Sequence, residues 1–141
     1  MSPREIQRFD VGIKGFLFSG DRLLVVQDVN SHKWEIPGGR IEVGEEQLPP
    51  EEILRREITE ELGPGIQYTI GLPVATWIVH MVGARVGQHA YLIGYRCEFL
   101  SGEVKLSEEH HAYQWVDRNS WKELPFIETY VPVLETLWDK I

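Results

Sequence analysis

Arg56-Glu57-Ile58-Thr59-Glu60-Glu61-Leu62-Gly63 reads as the last turns of an amphipathic helix followed by its stop. At about 100° per residue, Glu57, Glu60 and Glu61 fall within roughly a quarter turn, so their carboxylates share one patch. Leu54, Ile58 and Leu62 lie beside that arc and would anchor the helix on a core, which places the acids at the core's edge. Upstream, Pro49-Pro50-Glu51-Glu52 supplies the start, since proline is tolerated in the first turn and acids favour the positive end of the helix dipole. Gly63-Pro64-Gly65 ends the helix after Leu62, because glycine suits the C-terminal cap and proline cannot continue the ladder. Eight of the 22 acidic residues lie between Glu42 and Glu61 against only Arg55 and Arg56, a local charge of −6. Charges packed so densely repel unless water, salt or a bound cation separates them. Hard cations such as Mg²⁺ take carboxylate, water and phosphate oxygens, and this patch offers the first of these.

Moving outward from the helix, Trp34-Glu35-Ile36 is a short apolar-polar alternation stopped by Pro37-Gly38-Gly39, where a special loop conformation is expected. Asp10 to Phe18 and Arg22 to Asp28 are strand-like and joined by Ser19-Gly20-Asp21, which predicts a hairpin. Beyond Gly65 strand character returns in Gln67 to Ile70, Val74 to Val82 and Gly87 to Leu100, punctuated by Gly83 and Gly102. Trp115-Val116 fits a last short strand, and Val131, Leu134, Leu137 and Trp138 repeat at three and four residues on a C-terminal helix. No repeat or linker divides the chain, so residues 1–141 are expected to form one α+β domain.

Composition narrows the function classes. The 141 residues are 43% apolar and include five Trp, five Tyr and five Phe, enough for a core of ordinary size. A formal charge of −8 argues against a module that binds nucleic acid or anionic membranes through its phosphates. No run approaches a membrane span, and Met1-Ser2-Pro3-Arg4-Glu5 lacks the apolar core of a secretory signal, which predicts a soluble cytoplasmic protein. The lone Cys97 excludes an intrachain disulfide and is expected to be a small core residue.

The order Gly39, Glu45, Arg56, Glu57, Ile58, Glu60, Glu61 and Gly63 resembles the Nudix box of nucleoside-diphosphate-X hydrolases, G-x5-E-x7-R-E-U-x-E-E-x-G-U with U apolar. Two departures stand out. Ten residues rather than seven separate Glu45 from Arg56, an excess of three placed at Glu46 to Pro50 before the helix, and the last apolar position is Pro64. The insertion lengthens a loop without rotating the carboxylates, all of which follow it. Trp34 to Gly39 also resembles the strand and loop that lead into the box. The resemblance implies an α/β/α sandwich, with a mixed sheet between the box helix and the C-terminal helix.

It also implies Mg²⁺-dependent hydrolysis of a diphosphate linkage in a nucleoside diphosphate derivative or nucleoside triphosphate, with Mn²⁺ as an alternative ion and a homodimer as a common family state. Glu57, Glu60 and Glu61 match the family's metal-binding glutamates, and the carbonyl of Gly38 matches a backbone ligand. Arg56 would orient a glutamate by a charged hydrogen bond. Glu57 or Glu60 is the water-activating base, and Glu45 serves the loop or an outer metal shell. A further acid often comes from a loop near the end of the sheet, matched here by Glu109 in Ser107 to Trp115. His110 is a second option there, as in family members that transfer a glycosyl unit, although two adjacent histidines in a polar turn are commonly just exposed. A non-catalytic nucleotide-sensing module of the same fold is the rival reading, against which the intact glutamates weigh. Trp34 and Trp77 are read as core rather than base-stacking residues. Arg22, Arg40, Arg85 and Arg96 are read as surface or ion-pair residues rather than phosphate contacts, and His32, His80 and His89 show no metal-ligand spacing.

Overall fold

The computed structural model describes residues 3–80 and 89–141. The expectations for Met1, Ser2, Gly83, Arg85 and the adjoining strand ends at Val82 and Gly87 lie outside the described residues. Strand β1 (Asp10–Ser19) turns at Gly20 into β2 (Arg22–Asp28), giving the expected hairpin. Two short strands follow, β3 (Trp34–Glu35) and β4 (Gly38–Arg40), then helix α1 (Pro50–Leu62). The long strands β5 (Ile66–His80) and β6 (His89–Gly102) precede β7 (His110–Val116) and helix α2 (Val131–Leu137).

The sheet runs β3-β2-β1-β6-β5, with β4 on β1 and β7 on β2. Among the described strands only β1 and β6 pair in parallel; the other strand pairs are antiparallel, and a single parallel bridge joins Trp34 to Phe126. The β1/β2 hairpin zips only next to its turn, at Phe18↔Leu23 and Ser19↔Arg22. Past that point β1 takes β4 on the same edge, at Gly12↔Arg40 through Lys14↔Gly38. The two hairpin strands therefore part, and the glycine segment fills the gap.

Alternation along β1 and β2 sorts side chains to the two faces of the sheet. Ile13, Leu17, Leu24 and Val26 meet Ile53, Leu54, Ile58 and Leu62 of α1 in one core. Phe16, Phe18, Leu23 and Val25 meet Tyr130, Leu134, Leu137 and Trp138 in the other. A mixed sheet thus lies between the two helices, the α/β/α arrangement that the family resemblance implied. Trp34, Trp77 and Cys97 are buried in these cores. Leu54 is fully enclosed, so Leu54→Ala is expected to cost about 2–5 kcal/mol, read as a lower urea midpoint with an unchanged m-value.

Three expectations are corrected. The segments Gln67 to Ile70 and Val74 onward form one strand, β5, carried across Pro73 by register shifts at Ile70/Pro73 and Pro73/Ala75. Proline is tolerated because β5 is an edge strand among the described residues and Pro73 falls where its ladder to β6 is already irregular. The Pro37-Gly38-Gly39 loop is a strand from Gly38 onward, entered through a φ of 140° at Gly38 that favours glycine. The last strand begins at His110, five residues before Trp115.

Candidate active site

The C-terminal half of α1 leans on β4. The Gly38 N–H donates to Glu61 Oε2 at 2.7 Å, and Glu61 is buried. One residue on, Gly39 sits so close to Glu57 that a methyl on its Cα would fall on the Glu57 carboxyl group. The two neighbouring glycines therefore do different work: one supplies an amide, the other supplies space. Glu57 and Glu61 are four residues apart on one helix face and reach two successive residues of one strand.

Arg56 gathers the remaining acids. Its Nε and Nη2 bind the Glu45 carboxylate in a two-pronged pair at 2.8 and 2.9 Å, and its Nη1 lies 3.0 Å from Glu57 Oε1. The same Nη1 meets both oxygens of Glu60 at 3.2 Å. Glu45 also accepts from the Glu42 N–H at 2.8 Å, so it serves the loop's structure. The residues of the insertion form turns between Glu42 and Pro49, ahead of the helix. Glu60 differs from the expected shared patch: its side chain is 59% exposed and is drawn along the helix surface to Arg56.

The far end of the helix is tied to the other side of the site. Gly63, at φ 86°, closes the helix by donating to the Thr59 carbonyl, and the amides of Lys105 and Ser107 bind the carbonyls of Leu62 and Glu61. These bonds satisfy carbonyls that a helix end otherwise leaves bare. They deliver the chain directly to Glu109 and His110. Glu109 is exposed, whereas His110 is buried at 4% exposure, contrary to the expectation for a polar turn. The reason is alternation: β7 starts at His110, so His110 faces inward and His111 outward, where it packs against the His32 ring.

A buried polar group that the sequence reading did not single out backs this site. Lys14 Nζ lies 3.5 Å from Glu35 Oε1 and 3.4 Å from the Gly38 carbonyl, and Glu35 Oε2 lies 3.3 Å from His110 Nε2. The available signal was a lysine at an inward-facing position of an apolar strand, on the face of Phe16 and Phe18. Lys14, Glu35, Tyr130, Val79 and Leu92 line a cavity of about 190 Å³ beside β4.

Burial works against the Lys14 ammonium, yet Tyr130, Glu35 and Glu61 together hold its pKa above the ordinary value. Tyr130 is pushed up to about 12 by burial and is a neutral phenol at pH 7, so the carboxylates are what keep Lys14 charged there. Burial pushes Glu61 up to about 7, against the pull of Lys14 and the Gly38 amide. Burial also raises Glu57, partly offset by Arg56. For Glu35, burial is outweighed by Lys14 and His110, and its pKa is lowered. For His110, burial is outweighed by Glu35 and Glu61, and its pKa is raised.

This donor set fits a divalent cation. Glu57 rests in a recess that only glycine leaves, and Glu61 is a carboxylate whose ionisation burial opposes and a nearby cation would favour. Donor atoms of Glu61, Glu109 and His110 lie within 4.8 Å of one another. The Gly38 carbonyl faces Lys14 at a long 3.4 Å, and its oxygen carries a second lone pair. Of the four arginines set aside as phosphate contacts, Arg40 pairs with Asp10 at 3.2 Å and Arg96 lies over the Phe18 ring.

Residues 8–137 match the model of the NUDIX domain. The chain belongs to the Nudix hydrolase family. A Mycobacterium tuberculosis protein provisionally named 8-oxo-dGTP diphosphatase 2 is 34% identical over 114 residues, covering 74% of this chain and 70% of that one. The nucleoside triphosphatase NudI of Escherichia coli is 33% identical over 92 residues, covering 60% of this chain and 61% of NudI. Among solved structures, the MutT protein of Methanosarcina mazei superposes with a TM-score of 0.79 at 20% identity, over 96% of each chain. This Nudix chain is accordingly a pyrophosphohydrolase by family, with its box helix on one face of the sheet. No helix among the described residues is long and apolar enough to cross a membrane.

Proposed function

We propose that this Nudix hydrolase cleaves a nucleoside triphosphate to a nucleoside monophosphate and pyrophosphate in a Mg²⁺-dependent reaction. The observation that carries the reading is the meeting of an acidic helix face with a half-open cavity at Gly39. Val79 and Leu92 wall the cavity, and Lys14, Glu35 and Tyr130 offer it donors and acceptors, a combination suited to a nucleobase. The names of the M. tuberculosis and E. coli relatives favour a triphosphate over the other members of the broader class.

In this reading Glu57, Glu61 and Glu109 would hold the cation with the second lone pair of the Gly38 carbonyl, and Glu60 would join them on leaving its surface pair with Arg56. When bound, a divalent ion neutralises phosphate oxygens and makes coordinated water more acidic. Arg56 fixes Glu57 through Oε1 and restrains Glu60, leaving Glu57 Oε2 to accept a proton from the attacking water. A carboxylate raised by burial is better matched to that task than a fully solvated one, because its pKa stands closer to the working pH.

The test is a panel of nucleoside triphosphates and diphosphate derivatives with Mg²⁺, the products identified by mass. A monophosphate and pyrophosphate are expected. A free sugar would instead support glycosyl transfer through His110, and no product from any member would favour a sensing module. Chelation with EDTA is expected to abolish turnover and added Mg²⁺ to restore it; turnover that persists after thorough chelation would sink the metal assignment.

A further inference from the structure

His110 is almost fully enclosed, yet its Nδ1 is buried without a hydrogen-bond partner among the described residues. The other ring nitrogen explains which form the imidazole takes. Nε2 lies 3.3 Å from Glu35 Oε2, and an ionised carboxylate can only accept, so Nε2 carries the proton and donates it. In a neutral ring, that assignment leaves the lone pair on Nδ1. Nδ1 lies 3.9 Å from Glu61 Oε1, within range of charge attraction but beyond the reach of a hydrogen bond, so its lone pair or proton is matched by no hydrogen bond among the described residues. A Glu109 oxygen completes a group of three donor atoms within 4.8 Å.

We propose that His110 Nδ1 is a nitrogen ligand to a divalent metal ion held jointly by Glu61 and Glu109, and that this site prefers Mn²⁺ to Mg²⁺. A carboxylate behind the imidazole is the usual device for orienting a metal-binding histidine, because it fixes the tautomer and makes the ligating nitrogen more basic. Glu35 fills that position and is itself held by Lys14 Nζ at 3.5 Å. The preference follows from donor chemistry. Mg²⁺ takes oxygen ligands, demands near-ideal octahedral geometry and sheds water reluctantly, whereas Mn²⁺, though at the weak end of the first-row transition series and itself fond of carboxylates, tolerates one nitrogen donor among them better than Mg²⁺ does. Leaving a buried imidazole lone pair unmatched costs stability unless a ligand claims it. The inference rests on the proposed metal-dependent reading of the acidic face and adds to it a nitrogen donor and an order of metal affinities.

The probe is Mn²⁺ itself, bound to the intact chain and observed by pulsed electron paramagnetic resonance. Nitrogen modulation from a directly bound imidazole is expected in the unaltered protein and in His111→Gln, and is expected to vanish in His110→Gln. In parallel titrations, His110→Gln should weaken Mn²⁺ binding about 10–100-fold and Mg²⁺ binding less than about threefold, and Glu35→Gln should weaken Mn²⁺ binding through the lost orientation of the ring. Bound Mn²⁺ without nitrogen modulation would overturn the proposal, as would an equal loss of affinity for both ions in His110→Gln. Both outcomes leave the acidic site standing. Failure of Mn²⁺ and Mg²⁺ alike to bind the unaltered protein would instead remove the metal-dependent reading and this inference with it.

Discussion

Glu57→Gln is expected to lower kcat about 10³-fold while leaving the chain folded. Glutamine keeps the shape that fits against Gly39, so packing is retained. It loses the charge that pairs with Arg56 at 3.0 Å and the capacity to take a proton from water. The thermal midpoint should move little, because the side chain lies at the rim of the core rather than within it, and circular dichroism should be unchanged. A loss of turnover below tenfold would remove Glu57 from both proposed roles, metal ligand and base.

Gly39→Ala is the second large effect. The added methyl has nowhere to go except the space now held by the Glu57 carboxyl group, and the backbone at Gly39 is fixed by its pairing with Ile13. Glu57 must move. A displacement of about 1 Å in a catalytic group costs on the order of 10² in rate, so turnover is expected to fall about a hundredfold without unfolding. Gly65→Ala is the matched control. Its added methyl would meet only the Glu103 carbonyl at ordinary contact distance, and turnover should stay within about twofold of the unaltered chain. Equal activities for Gly39→Ala and Gly65→Ala would show that the recess is incidental.

Much of the fold was legible because its signals are local. Pro50 and Gly63 bracket α1, and the three- and four-residue spacing of Leu54, Ile58 and Leu62 gives its buried face. Alternation in β1 and β2 gives the two faces of the sheet. The spacing of Glu57 and Glu61 likewise placed both on one side of the helix, and both reach β4.

What could not be read depends on register between distant segments. Lys14, Glu35 and His110 are widely separated along the chain and meet because β4 wedges between the hairpin strands and β7 pairs with β2. No periodicity announces that meeting, so His110 looked like an exposed turn residue. Glu60 went the other way. Its angular position was right, but Arg56 offered it an ion pair at the surface. β5 ran on through Pro73 because its outer edge has no neighbour among the described strands to require the missing amide.

The amides of Lys105 and Ser107, clasped to the end of α1, tie the two halves of the site to each other. Adding or deleting a residue in that stretch would throw Glu109 and His110 out of alignment with the glutamates, whereas the turns at Glu46 to Pro49, ahead of the helix, can change size without rotating its carboxylates. Anyone transplanting selectivity from a relative should therefore cut at the second place and leave the first untouched.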